Sequence, residues 1–170
     1  MRVKVFGLLA ALLLAAGCTE PATQDATATT DGQTAAPTDS GSTGPSIVPG
    51  SQEDLVVNVG DRVFFDFDKS DLRPDAIETL NRQASWMKTN ASVMVNIEGH
   101  ADERGTREYN LALGDRRASS AKQYLQSMGV AGGRMETISY GKERPAVLGS
   151  NEAAWAQNRR AVMVVKGAAS

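Results

Sequence analysis

The sequence predicts an α/β domain over residues 53–170, a sandwich with its helices packed on one face of a small mixed sheet. One observation is that segments with apolar and polar residues in alternation, such as 92–98, recur between segments with apolar residues at helical spacing, such as 74–89. Another is that the length suits a single hydrophobic core. The order strand, helix, strand, helix, strand, short helix, strand then favours the sandwich.

The first half of this domain begins with an aromatic-rich strand, 62–67, followed by turn residues. Pro74 suits the first turn of a helix, which the apolar spacing extends to about Thr89, with Trp86 on the face opposite the apolar stripe. A half-buried strand is predicted over 92–98, where Val and Ile alternate with polar residues.

The second half of the domain starts with a helix whose apolar residues run from Ala118 to Met128. We place its N-cap at Gly114 and its C-terminal cap at Gly129. The remaining elements are a strand, a short helix capped by Asn151 and a last strand, over 134–140, 151–157 and 160–166.

The N-terminus has the pattern of a secreted lipoprotein. Residues 1–17 carry two cations, an apolar run and small residues, and the junction before Cys18 resembles a bacterial lipobox, which implies lipidation of that cysteine. Thr19, where lipoproteins kept at the inner membrane commonly carry Asp, predicts the outer membrane with the domain facing the periplasm. The Thr, Ala, Pro and Ser composition of residues 18–52 predicts a disordered linker.

Charge and composition exclude several classes of function. The net charge of −2, without a basic stripe, argues against nucleic-acid binding. One histidine, His100, and no cysteine in the domain argue against a metal site, so we predict no metal and no cofactor, and expect His100 to support its loop by hydrogen bonding. A wall hydrolase using Asp102 or Glu103 with His100 remains a minor alternative.

The polar segment 99–118, GHADERGTREYNLALGDRRA, places opposite charges on two sides of one bend. With Gly114 as the N-cap, Arg117 would lie beside free N–H groups of a helix start, a favourable position for a carboxylate. Asp102 would supply the opposite charge, so the pair suits a zwitterion such as a free amino-acid centre. The simpler alternative, which spacing alone favours, is that Asp102 and Arg117 pair with each other.

Three runs of sequence carry a resemblance to a known family: FDFDKSD at 65–71, EGHADERGTREYNLALGDRRA at 98–118 and SYGKERPAVLGSNEAAWAQNRRAV at 139–162. They resemble the OmpA-like C-terminal domain family, in its branch of peptidoglycan-associated lipoproteins. The resemblance implies a βαβαββ sandwich that binds the peptidoglycan stem peptide non-covalently through meso-diaminopimelate. By motif position it assigns ligand contacts to Asp102, Arg117, Phe67, Asp68, Asn110 and Leu113, and a structural role to residues 158–160.

The resemblance also implies partners. It predicts a tether between outer membrane and cell wall within the Tol-Pal system, which acts in envelope integrity and cell division. There the propeller protein TolB would compete with peptidoglycan for an overlapping surface, beside other Tol proteins. A general anchor lipoprotein outside the Tol system is the alternative within the same class.

Overall fold

A computed structural model of the protein describes residues 47–167; the predicted signal peptide, Cys18 and the linker up to residue 46 lie outside the described residues. The predicted start of the domain at residue 53 falls inside a short helix, α1 (Gln52–Asp54), which continues as a π-helical turn, Leu55–Val59. Leu55 is fully buried. The Gln52 side chain accepts from the Val165 N–H at 2.7 Å, so this segment is attached to the last strand.

The fold is the predicted mixed α/β arrangement. Its further elements are β1 (Arg62–Phe64), α2 (Pro74–Thr89), β2 (Val95–His100), α3 (Arg107–Ser127), β3 (Met135–Gly141), α4 (Glu152–Asn158) and β4 (Arg160–Val165). The sheet order is β1-β4-β2-β3, with β2 and β3 parallel and the other two pairings antiparallel. No helix within residues 47–167 is long and apolar enough to cross a bilayer.

The helix α2 has the bounds that its apolar spacing predicts, with Pro74 at its first position. Trp86, which helical spacing places opposite the apolar stripe, is nevertheless buried and only 8% exposed. Its Nε1 donates to Oδ2 of Asp54 at 2.8 Å. The N-terminal segment therefore covers the face of α2 that sequence periodicity assigns to solvent.

The prediction for the start of α3 is wrong, because the helix begins at Arg107. Its N-cap is Thr106, whose hydroxyl accepts from the Tyr109 N–H at 3.2 Å. Gly114 is a buried residue in the helix interior. A Cβ added to Gly99 of β2 would lie 1.8 Å from the Gly114 carbonyl oxygen. Both glycines are thus explained by the close approach of α3 to the sheet, and neither caps a helix.

Candidate functional site

A pocket of about 150 Å³ opens between the loop after β1 and the segment that joins β2 to α3. The side chains that the sequence predicts for a ligand site all line this pocket: Phe67, Asp68, Asp102, Asn110, Leu113 and Arg117. They come from the loop after β1, which is distant in the chain, and from two consecutive segments, the loop after β2 and the helix α3. The fold therefore brings the predicted residues together, with Arg104, Gly105 and Tyr109 completing the wall.

Asp102 supplies the negative charge and is only 4% exposed. Its Oδ1 accepts from the backbone N–H and from Nε of Arg104, both at 3.1 Å, and its Oδ2 accepts from Nη2 of Arg104 at 2.6 Å. Nη1 of Arg159 lies 3.5 Å from Oδ2. Burial acts to raise the pKa of Asp102, but the hydrogen bonds and charge of Arg104 outweigh it, so the net shift is downward and the carboxylate is ionised.

Arg117 supplies the positive charge from the interior of α3 and is fully buried. Its guanidinium donates to three backbone carbonyls, those of Lys69 at 2.8 Å, His100 at 2.8 Å and Asp66 at 3.1 Å. Burial lowers the pKa of Arg117 to about 10, which leaves it a cation at neutral pH. A guanidinium has five N–H donors, and the three carbonyls take one from each nitrogen, so two donors of this pocket residue are not used by them.

Asp102 and Arg117 do not pair directly with each other, contrary to the alternative that spacing alone favours. Asp102 has Arg104 and Arg159 as its cationic neighbours, whereas Arg117 donates to carbonyl oxygens. The idea that Arg117 lies beside a helix start is wrong as well, because α3 begins at Arg107. The structure instead holds a carboxylate and a guanidinium at one pocket through separate partners.

Asn110 and Leu113 come from the first turns of α3. Asn110 is buried and its Nδ2 donates to the carbonyls of Arg104 at 2.8 Å and Thr106 at 3.0 Å, so this side chain shapes the loop. Gly105 within the loop has φ +91°, a conformation that favours glycine. Leu113 is buried and contributes apolar surface to the pocket.

Phe67 and Asp68 contribute to the pocket from the loop after β1. Asp68 has φ +57°, which is uncommon for a residue with a side chain. The Tyr109 hydroxyl donates to Oδ1 of Asp68, and this hydrogen bond raises the pKa of Tyr109. Phe67 is 56% exposed and lies against Arg104, whose Cζ is 3.9 Å from the ring centroid. An exposed aromatic ring at the pocket therefore contacts a cation.

Sequence reasoning missed Arg104, Tyr109 and Arg159, all of which contact the predicted residues. The proximity of Arg104 to Asp102 along the chain was an available signal, since a charge two residues away in one loop can reach back to it. Arg159 had no such signal. It belongs to the segment assigned to structure, in which Asn158 accepts from the N–H groups of Ala146 and Val147.

His100 lies away from this chemistry. It is 2% exposed, and neither ring nitrogen is within hydrogen-bond geometry of a partner in residues 47–167, although the backbone of Arg144 is near enough to act against the fall of its pKa. Its carbonyl oxygen accepts from Arg117 instead. Burial, followed by the charges of Arg160 and Arg144, lowers the pKa of His100 to about 4. Within the same residues no His, Cys, Asp and Glu side chains cluster as a metal site requires.

Comparisons with known proteins identify the family of the chain. The model of the OmpA family matches residues 64–159. The chain is 59% identical over 122 residues to a peptidoglycan-associated lipoprotein of Rhizobium meliloti, covering 72% of this chain and 69% of the relative. It is 57% identical over 120 residues to that of Brucella melitensis, covering 71% of each.

Among solved structures, the crystal structure of the peptidoglycan-associated lipoprotein from Burkholderia pseudomallei is similar at a TM-score of 0.61 and 43% identity. The match covers 62% of this chain and 90% of that structure. The sequence and structure comparisons thus lead to the same group of proteins.

Proposed function

The chain belongs to the OmpA family and to its branch of peptidoglycan-associated lipoproteins, and from this premise we propose that it binds peptidoglycan non-covalently through meso-diaminopimelate. One observation carries the proposal. Residues from separate segments form a single pocket that holds one buried carboxylate, of Asp102, and one buried guanidinium, of Arg117. A ligand with an ammonium and a carboxylate on one carbon matches that pair.

The distal end of diaminopimelate is such a centre. Its carboxylate would meet the two N–H donors of Arg117 that the carbonyls leave free. Its ammonium would meet Asp102, which is ionised and has lone-pair capacity beyond its bonds to Arg104. A lysine side chain in the same position has an ammonium but no carboxylate, so Arg117 would lack its partner.

A binding role is better supported than hydrolysis of the wall. A general acid needs a raised pKa near the working pH, whereas the pKa values of both Asp102 and Glu103 are lowered. His100 is held neutral in the folded protein and hydrogen-bonds to neither carboxylate within the described residues. We therefore propose an anchor without catalytic activity, which sediments with sacculi and releases no soluble muropeptides.

The anchoring role combines this pocket with the sequence of the N-terminus. A lipid on Cys18 would hold the protein in the outer membrane, and the linker would let the periplasmic domain reach the wall. We extend the proposal to the Tol-Pal system, with TolB competing for the pocket surface, and to its role in cell division. Saturating peptidoglycan fragment should then weaken TolB binding, and unchanged affinity would separate this protein from the Tol system.

Calorimetric titration of the full-length protein in detergent with a diaminopimelate-containing muropeptide tests the proposal. Asp102→Asn removes the charge with little change in shape, and we expect at least tenfold weaker binding, because a charged hydrogen bond contributes about 1.5–3 kcal/mol. Asp115→Asn makes the same change on an exposed residue of α3 outside the pocket and should bind normally. A lysine-containing peptide should bind more weakly than the diaminopimelate peptide. A folded Asp102→Asn variant with wild-type affinity would refute the assignment.

A further inference from the structure

Trp155 of α4 does not line the pocket, yet it contacts the residue that orients the pocket carboxylate. Cζ of Arg104 lies 4.1 Å from the centroid of the Trp155 ring. It lies 3.9 Å from the centroid of the Phe67 ring. Two aromatic rings from different parts of the chain therefore contact the same guanidinium.

The edge of the same guanidinium is bound to Asp102. Nε donates to Oδ1 and Nη2 to Oδ2, a bidentate pair that fixes the plane of the carboxylate relative to that of Arg104. The two rings in turn restrict the guanidinium of Arg104, because a guanidinium interacts favourably with the faces of aromatic rings. The orientation of Asp102 thus depends on what holds Arg104.

Of the two rings, that of Trp155 is the better anchored. Trp155 is half-buried on a helix, and its Nε1 donates to Oε1 of Glu103 at 2.9 Å. Phe67 is more than half exposed on a loop. Arg104 also has another acceptor within reach, since Oε2 of Glu152 lies 3.9 Å from its Nη1. Without the ring of Trp155, the guanidinium would be free to turn from Asp102 towards Glu152.

We propose that Trp155 is a positioning residue for ligand binding: it holds Arg104 in the plane that orients the Asp102 carboxylate towards the ammonium of the ligand. The inference rests on the proposed function, and it assigns to α4 a part in a site that α4 does not touch. Trp155 acts only through Arg104, so the two residues should behave as one unit.

The ionisation of Asp102 provides a readout that a merely structural role would not change. Asp102 is buried, and burial alone would raise its pKa. The charged groups that face it or its partner are Arg104 and Glu103 of its own loop, Arg117 of α3, and Glu152 and Arg159 at the two ends of α4. Arg104 donates the hydrogen bonds that Asp102 accepts. If the Arg104 side chain turns away, the pKa of Asp102 should therefore rise, although the other cations remain.

The test compares Trp155→Ala, which removes the ring, with Trp155→Phe, which keeps a ring but loses the N–H donated to Glu103. In the full-length protein in detergent, Trp155→Ala should weaken binding of the diaminopimelate muropeptide about 3- to 30-fold, as loss of a cation–π contact predicts. Its binding should also decline at a higher pH than that of the wild type when the solution is acidified. Trp155→Phe should stay close to wild type in both respects.

We call the action of Trp155 on Asp102 through Arg104 the relay. A double-mutant cycle with Arg104→Ala separates the relay from a general loss of rigidity around α4. In the Arg104→Ala background, Trp155→Ala should have no further effect on affinity. Wild-type affinity and pH profile in a folded Trp155→Ala variant, or an undiminished effect in the Arg104→Ala background, would overturn the inference.

If the wild type binds no diaminopimelate at all, the proposed function is refuted separately from the inference about Trp155. The relay is then decided by NMR titration of the Asp102 carboxylate without ligand. A higher pKa of Asp102 in Trp155→Ala than in wild type supports the relay, and an unchanged pKa refutes it.

Discussion

The close contact between α3 and β2 should reverse the effect on stability that a glycine-to-alanine substitution usually has inside a helix. Gly114 lies inside α3, where replacement of glycine by alanine ordinarily stabilises a helix by about 1 kcal/mol. Here the added Cβ would lie 2.4 Å from Oγ of Ser139 and 2.8 Å from the carbonyl oxygen of Gly99. We therefore expect Gly114→Ala to destabilise the protein.

The magnitude depends on whether these neighbours can move. Oγ of Ser139 donates to the Leu111 carbonyl at 2.6 Å, so turning it away costs about 1 kcal/mol for the hydrogen bond. The Gly99 carbonyl is backbone of the central strand β2, and overpacking against it costs about 1–3 kcal/mol. Set against the propensity gain, Gly114→Ala should lower the free energy of unfolding by about 1–3 kcal/mol.

Gly99→Ala should be worse. Its Cβ would lie 1.8 Å from the carbonyl oxygen and 2.5 Å from the carbonyl carbon of Gly114. Only a displacement of α3 by roughly an ångström relieves this overlap, and that movement disturbs packing along the helix, so we expect about 3 kcal/mol or more. Because Arg117 follows Gly114 by one turn of α3, the same displacement would move a pocket residue and weaken ligand binding.

Urea unfolding, with the free energy extrapolated linearly to water, measures these differences. Gly133→Ala is the matched control, since a Cβ there meets nothing within 4 Å, and it should change the free energy of unfolding by less than about 0.5 kcal/mol. The expected order of destabilisation is Gly99→Ala, then Gly114→Ala, then Gly133→Ala. A Gly114→Ala variant as stable as wild type, or more stable, would refute the reasoning.

Three further predictions concern His100, the N-terminal segment and α4. The folded-state pKa of His100, about 4, lies below its ordinary value of 6.5, so the folded protein binds fewer protons between these pH values and loses stability as the pH falls through that range. Urea unfolding should show the decline, and His100→Asn should remove it. Gln52→Ala should cost about 1 kcal/mol and speed hydrogen exchange of the Val165 amide, which loses its acceptor. Asn151→Ala removes the cap that accepts from the Ala154 N–H and should cost about 1 kcal/mol, measured by urea unfolding.

Each of these has an outcome that contradicts it. His100 is the only histidine in the chain, but burial raises the pKa of Glu98, which works in the opposite sense at the acidic end. The test is therefore the difference between wild type and His100→Asn from pH 7 to about pH 5.5, and equal slopes would contradict it. Unchanged exchange at Val165 would show that Gln52 does not hold β4. An Asn151→Ala variant that unfolds at the wild-type urea concentration would mean that the cap is dispensable.

Local patterns account for the elements that were predicted correctly. Pro74 and the apolar stripe define both ends of α2, and alternation identifies β2, because each signal depends on neighbours within a few residues. The start of α3 was missed because its first turns are polar and carry Gly114, which resembles a cap when burial is unknown. Thr106 was an available signal, since a threonine before a helical stretch is a good N-cap.

By itself the sequence determined the order of strands and helices and, through its resemblance to a family, the residue types of the proposed ligand site. Only the tertiary structure decided how those residues are held. Arg117 donates to carbonyls 48 and 51 residues earlier in the chain, and Trp155 lies against Arg104 from another helix. Such contacts join segments with no periodic relation to each other, so they exist only once the sheet and helices have packed and the carbonyls and rings have converged on one place.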